Sequence, residues 1–119
     1  MSERLLYEKR QWGEYHVLHE KSLSNGLYAL TKELVIEPEK SISYQRHFHR
    51  DEYWTIIDGE GFIIIDGDKQ SVKRGDTFII RKNQLHLIKA TTQLSIIEVQ
   101  IGDLLSEDDI ERLNMNCKT

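Results

Sequence analysis
The chain has 119 residues, 39% apolar and 30% charged, enough for one ordinary globular domain with one core and not comfortably two. Its formal charge of −4, without a Lys/Arg stripe, argues against a nucleic-acid partner. No apolar run approaches the ~20 residues of a membrane helix, so no membrane partner is expected.

In chain order, Glu14–Leu18 is the first short alternating segment and reads as a strand. Lys21–Gly26 is a turn cluster ending in Asn25-Gly26. Leu27–Glu37 reads as a strand stopped by Pro38, the only proline. Ser41–His49 is the next strand. Glu52–Ile57 and Phe62–Ile65 form a hairpin around Asp58-Gly59-Glu60-Gly61, and Asp66-Gly67 begins another turn. Gln70–Val72, Thr77–Ile80, Leu85–Lys89 and Leu94–Ile101 complete the strand series. Ser106 then stands before three acids, with Ile110 and Leu113 at helical spacing, which predicts one short helix over about 106–113. Short strands with frequent turn signals predict an antiparallel sandwich or barrel in a single domain, 1–119. The single cysteine, Cys117, excludes an internal disulfide and fits a cytoplasmic setting; it reads as an ordinary tail thiol.

The stretch Gln45–Gly59, QRHFHRDEYWTIIDG, carries the chemistry. On a strand, His47 and His49 share a face ~6.6 Å apart, close enough to hold one ion. Glu52 has the wrong parity for that face, so the chain is expected to bend at Arg50-Asp51 and restart, placing Glu52, Trp54 and Ile56 together. His86, from a later strand, is the expected fourth ligand. Alternation also turns Gln45 inward with His47. On the last strand Ile96, Glu98 and Gln100 share one face, toward a polar pocket or toward solvent. Ile97, Val99 and Ile101 share the other, which reads as core. Arg46 and Arg50 read as solvated, His16 and His19 as ordinary strand histidines, and Trp12 as a core plug. Three imidazoles and one carboxylate suit zinc, manganese, iron, cobalt or nickel.

His47-x-His49-x-x-Glu52-(x6)-Gly59 resembles the first motif of the cupin superfamily, and Gly75-(x5)-Arg81-x-Asn83-(x2)-His86-(x3)-Ala90 keeps the glycine and histidine of the second. SYQRHFHRDEYW, Arg10-Gln11-Trp12-Gly13, Glu98-Val99-Gln100-Ile101-Gly102 and the acidic Glu107–Arg112 run are similar to the type II mannose-6-phosphate isomerase cupins. Those occur alone or as the C-terminal domain of bifunctional mannose-1-phosphate guanylyltransferases. The resemblance implies an all-β double-stranded β-helix with its motif core at about 28–102. It also implies one divalent metal, zinc first, on His47, His49, Glu52 and His86. The implied activity is a sugar-phosphate aldose–ketose isomerase on mannose 6-phosphate and fructose 6-phosphate. Glu98 is then the candidate base. Arg10, Lys32 or Arg81 would supply the cation for phosphate, and Gln45, Trp54 and Gln100 line the substrate. Two other classes remain open: a non-catalytic metal- and sugar-binding cupin, and an iron-dependent dioxygenase. A homodimer is expected, paired through the Glu14–Leu18 strand, because small barrels leave sheet edges exposed.

Overall fold
A computed structural model describes residues 6–114; Cys117 lies outside them. Eleven strands follow one another: β1 (Tyr7–Arg10), β2 (Gly13–Ser22), β3 (Tyr28–Ile36), β4 (Tyr44–Arg46), β5 (Arg50–Asp58), β6 (Glu60–Ile65), β7 (Asp68–Lys73), β8 (Thr77–Ile80), β9 (His86–Ala90), β10 (Leu94–Gly102) and β11 (Glu111–Leu113). All strand pairs are antiparallel. One sheet runs β1-β2-β3-β10-β5-β8 and the other β11-β4-β9-β6-β7, two antiparallel layers.

Alternation along the three central strands divides the interior into two halves. Leu34, Ile36, Ile56, Leu94 and Ile96 meet Ile63, Ile88 and Ile42 of the opposite layer in an apolar core. Each such side chain contributes about 1.5–3 kcal/mol when fully buried. Further along the same inner face the character changes. Register places Glu98 between Lys32 on β3 and Trp54 on β5, and Gln100 between Leu30 and Glu52. Lys32, Arg50, Glu52, Glu98 and Gln100 are all buried there. The inner face of β10 is thus Ile96, Glu98 and Gln100, while Ile97, Val99 and Ile101 lie half-buried on the outer face. This reverses the assignment of the apolar trio to the core.

Two further expectations are corrected. Among the described residues there is no α-helix at 106–113. Ser106 does cap one turn, its Oγ accepting from the Asp108 N–H at 3.1 Å. Beyond it Glu111–Leu113 pairs with β4 instead. The acids find tertiary partners that a helix would forfeit: Glu107 holds Lys32, Asp109 binds the backbone at Phe48 and His49, and Glu111 holds Arg46. The second concerns β2, which contains Glu14–Leu18. It is flanked by β1 and β3, so it offers no free edge for exchange.

Gly102 ends β10 against the turn that precedes β5. A Cβ there would overlap the His49 carbonyl oxygen and the Arg50 Cα. Gly102→Ala should therefore lower stability by about 1–3 kcal/mol, as overpacking does. Thermal melts check this; an unchanged melting temperature would show that the close approach is not required.

Candidate metal centre
The site begins where the chain leaves β4. His47 lies just past that strand, and the chain bends at Phe48-His49 rather than at Arg50-Asp51. The Asp109 carboxylate sets the bend by accepting both the Phe48 and His49 N–H groups, at 2.9 and 3.0 Å. Parity therefore resets two residues early. Arg50, Glu52, Trp54 and Ile56 face inward along β5. His49 is turned out, its side chain 47% exposed and its Nδ1 3.2 Å from Asp103. The structure does not bring His49 to the other three expected ligands.

Those three do converge. Potential donor atoms of His47, Glu52 and His86 all lie within 4.8 Å of one another. His47 Nε2 is 3.5 Å from Glu52 Oε2, and His86 Nε2 is 3.7 Å from Glu52 Oε1. Each imidazole is oriented from behind. His47 Nδ1 donates to the Asp109 carbonyl at 2.7 Å, and His86 Nδ1 to the Gln84 carbonyl at 3.0 Å. This leaves both Nε2 lone pairs aimed into the pocket, the usual arrangement behind a ligating histidine. Glu52 Oε1 and His86 Nε2 are buried and have no hydrogen-bond partner in the protein. Such atoms are costly unless something binds them. Two imidazoles and a carboxylate fit a divalent transition metal, and three protein ligands leave coordination positions for water or substrate.

The electrostatics agree with this use. Burial alone would raise the Glu52 carboxyl, but Arg50, through charge and hydrogen bond, holds it well below the usual carboxylate range. Burial pushes His47 down, helped by Arg50, so its imidazole stays neutral and able to ligate. Burial and the adjacent Glu52 carboxylate push Glu98 above the usual range. The two neighbouring acids thus differ in proton affinity. Glu98 accepts from Trp54 Nε1 at 2.9 Å and from Gln100 Nε2 at 3.0 Å. Trp54 packs edge-on to His86, ring centroids 5.7 Å apart.

These groups line one cavity of about 760 Å³, within the range that holds small molecules. Arg10, Lys32, Gln45, Trp54, Glu98 and Gln100 all reach it, as does Trp12, which also packs on the core. Arg81 does not: it is exposed, bonded to Asp51 and Tyr53 on the outer face of β5. β5 alternation turns those two partners away from the pocket, and Arg81 is not brought to it. Arg50 corrects the opposite expectation. It is 5% exposed, and its guanidinium bonds Glu52 Oε2 at 2.8 Å. Its i,i+2 spacing to Glu52 was the available signal. Lys40 and Arg112 line the cavity too, Lys40 without a sequence signal and Arg112 as the last residue of the acidic run.

Glu107 and Ile110, from the segment before β11, line one side of the pocket. Lys32 Nζ, almost fully buried, bonds Glu107 Oε2 at 2.8 Å and lies 4.1 Å from the Tyr15 ring centroid. Burial would raise Glu107, but Lys32, through charge and hydrogen bond, lowers it below 4.5, with Arg50 and Arg10 adding to this. A lowered folded value means stability that is complete above the unfolded value and lost as pH falls through the folded one. Glu107→Gln should thus melt earlier than wild type near neutral pH, and the gap should close in acid below 4.5. A gap that persists unchanged in acid would contradict the Lys32–Glu107 pairing.

Similarity to known proteins agrees with the geometry. Residues 3–115 match the family described as mannose-6-phosphate isomerase C-terminal. A mannose-1-phosphate guanylyltransferase of Salmonella muenchen is 33% identical over 106 residues, covering 87% of this chain and 21% of that protein. The alginate biosynthesis protein AlgA of Pseudomonas aeruginosa is 34% identical over 114 residues, again 87% of this chain and 21% of the relative. The chain therefore spans about a fifth of the length of these curated relatives. A cupin protein from Bacteroides fragilis superposes with TM-score 0.58 at 21% identity, covering 76% of each chain. A salicylate 1,2-dioxygenase from Pseudaminobacter salicylatoxidans superposes with TM-score 0.58 at 12% identity, over 60% of this chain and 20% of that one, a likeness of fold alone. With the family match extending over nearly the whole sequence, the chain belongs to the mannose-6-phosphate isomerase C-terminal family and has the cupin fold.

Proposed function
We propose that the chain is a metal-dependent sugar-phosphate isomerase that interconverts mannose 6-phosphate and fructose 6-phosphate. One observation carries this reading beyond the family: a buried acid, Glu98, shares a cavity with the His47–Glu52–His86 group and several cations. Aldose–ketose isomerisation needs these elements together. The proton on C2 must pass to C1, and a carboxyl group of raised proton affinity is suited to take and return it near neutral pH. Trp54 and Gln100 hold the Glu98 carboxyl in a fixed orientation. His47, Glu52 and His86 would hold a divalent ion, which would supply positive charge for the substrate oxygens that become negative during that transfer. Zinc stands first, and manganese, iron, cobalt and nickel accept the same donors. Arg10, Lys32 and Lys40 provide the positive charge that a phosphate needs.

The test is conversion of mannose 6-phosphate to fructose 6-phosphate by the metal-loaded protein, read by a coupled assay. No turnover of any hexose 6-phosphate with any of the five metals would overturn the assignment. Oxygen uptake with ferrous iron would instead favour a dioxygenase. We also propose a homodimer, formed through the outer face of the six-stranded sheet, where Ile57 and Ile79 are exposed beside Ile97, Val99 and Ile101. Sedimentation showing only a 14.0 kDa species at micromolar concentration would contradict it. A cytoplasmic setting is part of the same proposal, resting on the lone cysteine.

A further inference from the structure
We propose that Arg50 is an internal competitor for the metal, so that full coordination requires its guanidinium to release His47. This rests on the reading of His47, Glu52 and His86 as a metal centre. Three nitrogens of Arg50 are engaged. Nε donates to Glu52 Oε2 at 2.8 Å, Nη1 to the Ser106 carbonyl at 3.1 Å, and Nη2 lies 3.3 Å from His47 Nε2. The ligand group is therefore split. Glu52 Oε1 and His86 Nε2 are unpartnered, whereas His47 Nε2 and Glu52 Oε2 face the guanidinium.

The single lone pair on His47 Nε2 can accept an N–H or bind a metal, but not both. The ring cannot offer its other nitrogen without breaking the bond from Nδ1 to the Asp109 carbonyl. Nor can Arg50 give up its charge, because a guanidinium stays protonated in proteins. An ion on Glu52 and His86 thus meets a fixed positive charge in a buried site, where screening by salt is weak. The same guanidinium also holds Glu52 Oε2, so it opposes a bound ion at two of the three ligands. Affinity for a divalent ion should accordingly be set by Arg50 as much as by the ligands.

The experiment is zinc titration of the full chain, by competition with a chromophoric chelator, for wild type, Arg50→Gln, His47→Ala and the double variant. Circular dichroism checks the fold of each. The expected result is that Arg50→Gln binds zinc at least about tenfold more tightly, a difference of 1.4 kcal/mol. His47→Ala should cost more affinity in the Arg50→Gln background than in wild type, because only there is the imidazole free. A folded Arg50→Gln that binds zinc no more tightly than wild type would overturn the proposal. Should Arg50→Gln fail to fold, ¹⁵N NMR of wild type decides. The Arg50 Nη–H signals should shift as zinc titrates the His47 ring, and unmoved Nη signals beside a shifted His47 refute the competition. Absence of zinc binding in both folded proteins would overturn the metal centre itself and this inference with it. Binding by wild type with no gain in Arg50→Gln overturns only the inference.

Discussion
Glu52→Ala should cost about 3–5 kcal/mol of stability and abolish metal binding in one step, the largest effect expected of any single substitution in the pocket. The carboxylate touches every other member of the centre. It is 1% exposed, bonded to Arg50, and within 3.5 and 3.7 Å of His47 and His86. Without it, a guanidinium with 5% exposure loses its only carboxylate partner among the described residues. A buried charge left unpaired is what makes such a change severe, more than the lost attraction. For a domain of this size the melting temperature should fall on the order of 10 °C. Glu52→Gln keeps the volume and should fall between the two. Calorimetry checks both. An alanine variant that melts with wild type would mean that Arg50 has another route to solvation and that the cluster is not held as described.

Glu98→Gln is expected to leave the fold and the metal in place while lowering kcat by about 10²–10⁴-fold, the range for loss of a general acid–base group. KM for mannose 6-phosphate should move only a few-fold. The reason is positional. Glu98 is in register with Lys32 on one side and Trp54 on the other, and it is not among the convergent ligands. Glutamine preserves the shape but cannot carry a proton between two carbons. Steady-state kinetics on zinc-loaded protein decide the point. Unchanged kcat would remove Glu98 from the proton-transfer role, and loss of metal with the substitution would recast it as a support for the centre.

The strands were legible because their signals are local. Alternation in Tyr28–Ile36 and the turn residues at Asp58-Gly59 and Asp66-Gly67 act within a few residues, and those elements appear close to their expected bounds, whereas only Tyr44–Arg46 of the expected Ser41–His49 strand forms and β1 and β11 were not expected. The site was legible only in part because its geometry is set across long separations. The bend that turns His49 out and Arg50 in is made by Asp109, 60 residues away from His49. Nothing near His47 announces it, and Glu107–Asp109 reads locally as the start of a helix. The face of β10 was misjudged for a related reason. Apolar residues normally mark the buried side, but Glu98 and Gln100 are buried because they line a pocket, while Ile97, Val99 and Ile101 look outward. The family motif, being a pattern of ligand types, indicated His47, His49, Glu52 and His86 without this information, and of these His47, Glu52 and His86 converge. It could not report that the neighbouring arginine joins them.

The most direct test of the account is the metal content of the purified chain and its ligand variants. Elemental analysis after dialysis against zinc should give one ion per wild-type chain. Glu52→Ala and His86→Ala should retain essentially none, and His49→Ala should retain a full equivalent, because His49 faces Asp103 outside the cluster. The contradictory result is equally definite. Full zinc in His86→Ala, or zinc lost from a folded His49→Ala, would mean that the ion is not held by His47, Glu52 and His86.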